Sequence, residues 1–77
     1  MSVTVYSLPN CVACENTKKM LDRGGVDYNV IDMSKDEDAF NMVKDLGYQA
    51  APVVITDEEH WGGFKIDKIT ALYQATA

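Results

Sequence analysis

Two cysteines separated by two residues, Cys11-Val12-Ala13-Cys14, stand between a strand-like run and a helical one. No other feature constrains the chain as much. The run before them, Val3-Thr4-Val5-Tyr6-Ser7, is β-branched and aromatic and reads as a buried strand. Pro9 cannot donate a ladder hydrogen bond and ends that strand, and Asn10 is the expected N-cap of the next segment. This segment runs to about Arg23 and stops at Gly24-Gly25. Cys14, Thr17 and Leu21 recur at i, i+3 and i+7, so they share the core-facing side of a helix. Lys18, Lys19 and Asp22 fall elsewhere on it. The two cysteines are therefore unequal: Cys11 sits at the exposed start of the helix, and Cys14 lies one turn inside, facing inward.

That arrangement suits thiol–disulfide exchange, in which only the thiolate attacks a disulfide sulfur. A free cysteine titrates near about 8.5, and helix N-termini and Cys-x-x-Cys settings lower this to about 3.5–7.5. The N–H groups of the first helical turn stabilise an anion at Cys11, which makes it the candidate nucleophile. Cys14 is then the resolving thiol, near enough to displace a bound partner and close an intramolecular disulfide. Two other readings stay open from the residues alone: half a zinc site, and a pair of packing cysteines. Structural zinc takes four ligands and His60 is the only other His or Cys, so no metal site is expected.

Seventy-seven residues bury only about 60% of their unfolded surface, so one domain covering 1–77 with one modest core is expected. Two cysteines are too few for a disulfide framework, which points to functional thiols in a reducing compartment. No apolar run approaches the roughly 20 residues of a membrane span. The N-terminus shows no basic stretch leading into an apolar one. Cytoplasmic residence without membrane attachment is the expectation. Twelve acids against seven bases give a net charge of −5, which argues against nucleic acid as a partner. A protein partner is expected to present a neutral or basic surface.

Val26 to Asp32 reads as a second strand, with Tyr28, Val30 and Ile31 as packers. Strand, helix and strand in this span form a βαβ unit, parallel and right-handed by default. Ser34 is the expected cap of the next helix, with Asp36, Glu37 and Asp38 in its first turn, where the dipole favours acids. Ala39, Val43 and Leu46 form its apolar stripe, Phe40 widens it, and Gly47 stops it. Ala50 to Thr56 is a third strand, and Glu59 to Gly62 a short fourth, paired with it as an antiparallel hairpin. A last helix runs from about Asp67 to Ala75, with Ile66, Ile69, Leu72 and Tyr73 on its apolar face. This order places helices on both faces of one small sheet. Tyr6 and Tyr28 are assigned to the core, and Met20, Met33 and Met42 to gap-filling. Trp61 can be a docking platform for a partner peptide or pack against the last helix, and the residues weigh these evenly. His60 reads as a solvated strand position. Base rates alone assign a trans bond before Pro52.

Three stretches carry a resemblance: Pro9-Asn10-Cys11-Val12-Ala13-Cys14, Gln49-Ala50-Ala51-Pro52-Val53-Val54 and His60-Trp61-Gly62-Gly63-Phe64-Lys65. On the order βαβαββα they resemble the glutaredoxin-like NrdH-redoxins of the thioredoxin-fold superfamily. The resemblance implies an α/β thioredoxin fold, a four-stranded mixed sheet flanked by three helices. It implies that Pro52 is cis beside a redox-active Cys11–Cys14 disulfide, and that Ala51 pairs with the substrate backbone. Trp61, Gly62, Gly63, Phe64 and Lys65 would complete the substrate-binding side. The implied activity is that of a dithiol–disulfide oxidoreductase, an electron donor to class Ib ribonucleotide reductase. It would be reduced by thioredoxin reductase with electrons from NADPH, and would hold no bound cofactor. A monomer is expected.

The chain departs from the family at named positions. Leu8 stands where many relatives have lysine, which removes a cation near Cys11. Gly62, Lys65 and Ile66 replace the serine, arginine and proline of a common Trp-Ser-Gly-Phe-Arg-Pro motif, and lysine does not reproduce arginine's bidentate fork. Against glutathione-dependent glutaredoxins, the alternative within the class, the Cys-Pro-Tyr-Cys centre is absent. Phe64 and Lys65 also stand where an acid would hold glutathione's amine, so weak glutathione binding is expected. A non-catalytic redox-sensing or zinc-binding module is the reading from a different class.

Overall fold

β1 (Val3–Ser7) is a central strand, with Val3, Val5 and Ser7 buried and Thr4 and Tyr6 partly so. The computed structural model describes residues 2–75. From β1 the chain enters α1 (Val12–Arg23), returns along β2 (Asn29–Asp32), and passes through α2 (Glu37–Asp45). It then forms the hairpin of β3 (Val53–Thr56) and β4 (His60–Gly62) before α3 (Ile66–Ala75). The sheet order is β2-β1-β3-β4. β1 runs parallel to β2, with Val5 opposite Val30, and antiparallel to β3, with Val5 opposite Val54. β4 pairs antiparallel with β3, Trp61 facing Val54. The element order and the mixed four-stranded sheet are those expected from the sequence.

Alternation along the strands splits the apolar residues between two faces. On one face Val3, Val5, Val54 and Trp61 meet Leu21 from α1 and Ile69 and Leu72 from α3. On the other, Val53 meets Met33 and, from α2, Ala39 and Val43, with Tyr6, Leu8, Ile31 and Tyr48 packed around them. Full burial of a residue such as Leu21 or Ile69 contributes about 1.5–3 kcal/mol. α1 and α3 also touch through Tyr73, whose hydroxyl donates to the Met20 carbonyl. The Tyr73 ring lies so close over Gly24 that a Cβ there would be 2.0 Å from it, so only glycine fits.

Several local expectations are corrected. α1 is capped by Cys11, not Asn10: the Cys11 sulfur accepts the Cys14 N–H, while Asn10 turns into the left-handed region at φ 59°. α2 is capped by Asp36, whose Oδ1 accepts the Ala39 N–H at 3.0 Å. Ser34 instead closes a turn on Asp32 Oδ1, donating its N–H at 2.9 Å and its hydroxyl at 2.6 Å. β2 begins at Asn29, because Val26 is still tied to the end of α1 by its N–H to the Leu21 carbonyl. Val30 is 46% exposed, since β2 is an edge strand and the groove beside α1 leaves its side chain uncovered. β3 begins at Val53, with residues 50–52 forming a loop ahead of it. Phe40, Met42, Leu46 and Ile66 are exposed rather than packed.

Candidate active site

The fold brings together two loops at one end of the sheet. The first leaves β1 and enters α1 through Leu8, Pro9 and Asn10, which places Cys11 at the helix's N-cap in extended backbone, φ −115° and ψ 105°. The Cys14 N–H, unpaired within the helix as first-turn donors are, points at Cys11 Sγ from 3.1 Å. Cys14 itself is fully buried, whereas Cys11 keeps part of its surface. The two sulfurs are in bonding contact as a disulfide, with Cα atoms 5.2 Å apart. Thr17, one turn on and also fully buried, turns its hydroxyl to the Ala13 carbonyl at 2.8 Å.

The second loop is the one ahead of β3. Its Ala51–Pro52 peptide bond is cis, against the trans bond that base rates assign. The Ala51 carbonyl oxygen stands 3.8 Å from Cys11 Sγ, so residues 40 apart in sequence meet at the sulfur. Pro52 is buried, and its carbonyl accepts the Gly63 N–H at 2.8 Å. That bond fastens the loop after β4 beside the Pro52 loop, with Gly63 at φ 85° completing the turn.

The stretch from Trp61 to Lys65 is therefore tied to the Pro52 loop through Gly63, but it does not form one surface. Phe64 is 37% exposed and Lys65 is exposed, whereas the Trp61 ring is 3% exposed and packs with Val54, Ile69 and Leu72. Of the two readings of Trp61, packing against the last helix is the one the fold adopts, and the exposed docking platform is not: the ring braces the loop from beneath. Its indole N–H is buried without a hydrogen-bond partner.

The groove along Cys11 is lined by Leu8, Asn10, Val12, Glu15, Lys19 and Asp32 among others, and Val12 stands 76% exposed at its rim. Lys18, also in this groove, is bound by Glu15 at 2.6 Å. The Asp32 carboxyl is held below the usual carboxylate range, first by the Ser34 hydroxyl and then by its N–H. On its other side Leu8 opens an apolar cleft with Met33, Phe40, Val43 and Tyr48.

Sequence reasoning missed one contact. Tyr48 and His60 meet with their rings edge to face and hydroxyl to Nδ1 at 2.6 Å, so His60 is exposed but partnered. Strand alternation held the available signal, since His60 and Gly62 must face away from Trp61. Among the described residues, no group of three or more His, Cys, Asp or Glu side chains is placed to hold a metal ion. Nor is any helix among them long and apolar enough to cross a membrane.

Comparison with known proteins resolves the class. The family model for Glutaredoxin matches residues 3–61. The glutaredoxin-like protein NrdH of Escherichia coli strain K12 is 32% identical over 97% of this chain and 93% of its own length. The chain belongs to the glutaredoxin family, in its NrdH-redoxin branch. NrdH of Lactococcus lactis is 33% identical to the redoxin over 91% of this chain and 97% of its own. The solved NrdH-redoxin of Escherichia coli superposes with a TM-score of 0.91 at 32% identity, covering 94% of this chain and 95% of that one. The redoxin thus has the thioredoxin fold, and it is a thiol–disulfide oxidoreductase with Cys11 and Cys14 as its cysteine pair.

Proposed function

We propose that the redoxin is a dithiol electron donor to protein disulfides, with Cys11 as nucleophile and Cys14 as resolving thiol. One observation carries the assignment: Cys11 Sγ occupies the α1 N-cap with a backbone N–H aimed at it from 3.1 Å, while Cys14 has no exposed surface. The N–H and the helix terminus stabilise a thiolate at Cys11 and leave Cys14 reachable only from within. Cys11 attacks one sulfur of the partner's disulfide, forming a mixed disulfide and releasing the other sulfur as a thiolate. Cys14 then loses its proton and attacks Cys11 Sγ, which expels the second partner thiolate and closes Cys11–Cys14. The partner gains two electrons and two protons; the redoxin loses the same.

Ala51 offers backbone to an incoming extended segment beside the sulfur, and Pro52 shapes that edge. Gly62, Gly63, Phe64 and Lys65 flank the segment, with Trp61 bracing the flank from the core. The electrons come from NADPH through thioredoxin reductase, and the target is a class Ib ribonucleotide reductase in the cytoplasm. The thioredoxin-like activity profile named for the Escherichia coli NrdH-redoxin supports the choice of reductant. So does the absence of an acid at Phe64 and Lys65, which disfavours glutathione.

A reductant swap tests this. With NADPH and thioredoxin reductase the redoxin is expected to sustain reduction of insulin or of a class Ib ribonucleotide reductase. Sustained turnover only with glutathione and glutathione reductase would overturn the electron route. Cys11→Ser is expected to abolish turnover. Cys14→Ser is expected to accumulate a covalent mixed disulfide on a non-reducing gel, and a missing adduct removes its resolving role.

A further inference from the structure

The loop that brings Ala51 to Cys11 is fastened at one end to β4 and at the other to the residue just after it. Its far end is the Pro52 carbonyl, which accepts the Gly63 N–H. Its near end is Tyr48, set just past Gly47, whose φ of 100° turns the chain out of α2. The Tyr48 ring reaches across to β4 and makes two contacts there. Its hydroxyl lies 2.6 Å from His60 Nδ1, with the rings edge to face at 89° and centroids 5.5 Å apart, a favoured aromatic geometry. Either partner can supply the proton: the phenol to a neutral imidazole, or an imidazolium to the phenol oxygen. The same ring lies flush on Gly62, where a Cβ would come within 2.8 Å of Tyr48 Cδ1. The absent side chain at Gly62 is therefore the seat of the Tyr48 ring.

We propose that Tyr48, His60 and Gly62 form a clasp that sets the 49–52 loop at the distance from Cys11 needed to receive a partner's backbone. Tyr48 and His60 are then positioning residues for exchange with protein disulfides. The inference rests on the reading of Ala51 and Pro52 as the docking edge, and it adds a specificity rule to that reading. A protein disulfide arrives with backbone that must register on Ala51, whereas a small disulfide needs only the sulfur. Loosening the clasp therefore penalises the first class and spares the second.

The test is single-turnover oxidation of the pre-reduced redoxin by insulin and by hydroxyethyl disulfide, for wild type, Tyr48→Phe, His60→Ala and the double variant. Tyr48→Phe keeps the ring on Gly62 and removes only the hydroxyl, which separates positioning from folding. Each single variant is expected to lower the insulin rate constant about fivefold, with the small-disulfide constant changed by less than about twofold. The double variant is expected to fall no further than either single one, as for two residues joined in one contact. Amide exchange gives a second reading: the Gly63 N–H is expected to exchange faster in both variants while that of Leu21 in the core is unchanged. An unchanged insulin constant, an equal loss on both substrates or additive losses overturn the clasp and leave the exchange chemistry standing. A wild-type protein that reduces neither disulfide overturns that chemistry, and the clasp with it.

Discussion

The hydroxyl of Tyr28 donates to Asp22 Oδ1 at 2.9 Å, with the Lys18 carbonyl oxygen 3.4 Å away, and it ties the approach to β2 back to α1. Burial, then the bond to Asp22 and the charges of Asp22 and Glu15, push its ionisation up to about 12. An unfolded tyrosine ionises near about 10. The fold thus favours the neutral phenol, and the stability it contributes is complete below pH 10 and lost as pH rises through 12. Wild type is expected to be more stable than Tyr28→Phe at pH 9, with the gap closing between pH 10 and 12; urea denaturation across that range measures it. At this scale the sequence was legible where one helix carried the signal. The i, i+3, i+7 spacing placed Cys14, Thr17 and Leu21 inward, and all three have no exposed surface. It was illegible where a contact crosses elements: Tyr48 and His60 meet only because a hairpin folds one past the other.

Among the elements, α1 and α2 show why boundaries are harder to read than helices. Asn10 and Ser34 are residue types that cap helices, yet Asn10 stands one residue and Ser34 two residues ahead of the residue that caps. Side-chain chemistry could not choose between Ser34 and Asp36, because both offer an oxygen and only the backbone path determines which one reaches the first free N–H. Asp36→Ala is expected to cost about 1 kcal/mol, and Ser34→Ala less than half of that, since Ser34 only closes an exposed turn on Asp32. Equilibrium denaturation of the two variants decides it. A larger loss at Ser34 would restore the capping role that its position suggests.

For the whole molecule, the two faces of the sheet are unequal. The face under α1 and α3 carries Leu21 and Ile69, both with no exposed surface, packed against residues from three strands. A chain of this length has a total stability of roughly 4–12 kcal/mol, so its largest buried side chains hold much of the margin. Leu21→Ala is expected to cost about 2–5 kcal/mol, seen as a lower urea midpoint, because nearby strands and α3 cannot both close on the cavity. Val30→Ala is expected to change stability by less than about 0.5 kcal/mol, since its side chain already meets water. The sequence yielded the order of strands and helices along the chain, but not the order across the sheet. The apolar segment around Val30 marks it as a packer, and only the position of β2 at the edge leaves it uncovered.

The burial of Cys14 sets how the reduced protein meets reagents other than its partners. Cys14 has no exposed surface, so an alkylating agent is expected to find one handle per reduced molecule, with mass increments coming singly. Peroxide meets the same asymmetry. On the proposed roles it is expected to convert the accessible Cys11 to a sulfenic acid, with which the hidden Cys14 thiol condenses, expelling water and returning the pair to its disulfide; intact mass after peroxide treatment reads the outcome. On that expectation, the sulfur kept out of solvent protects the one that meets it.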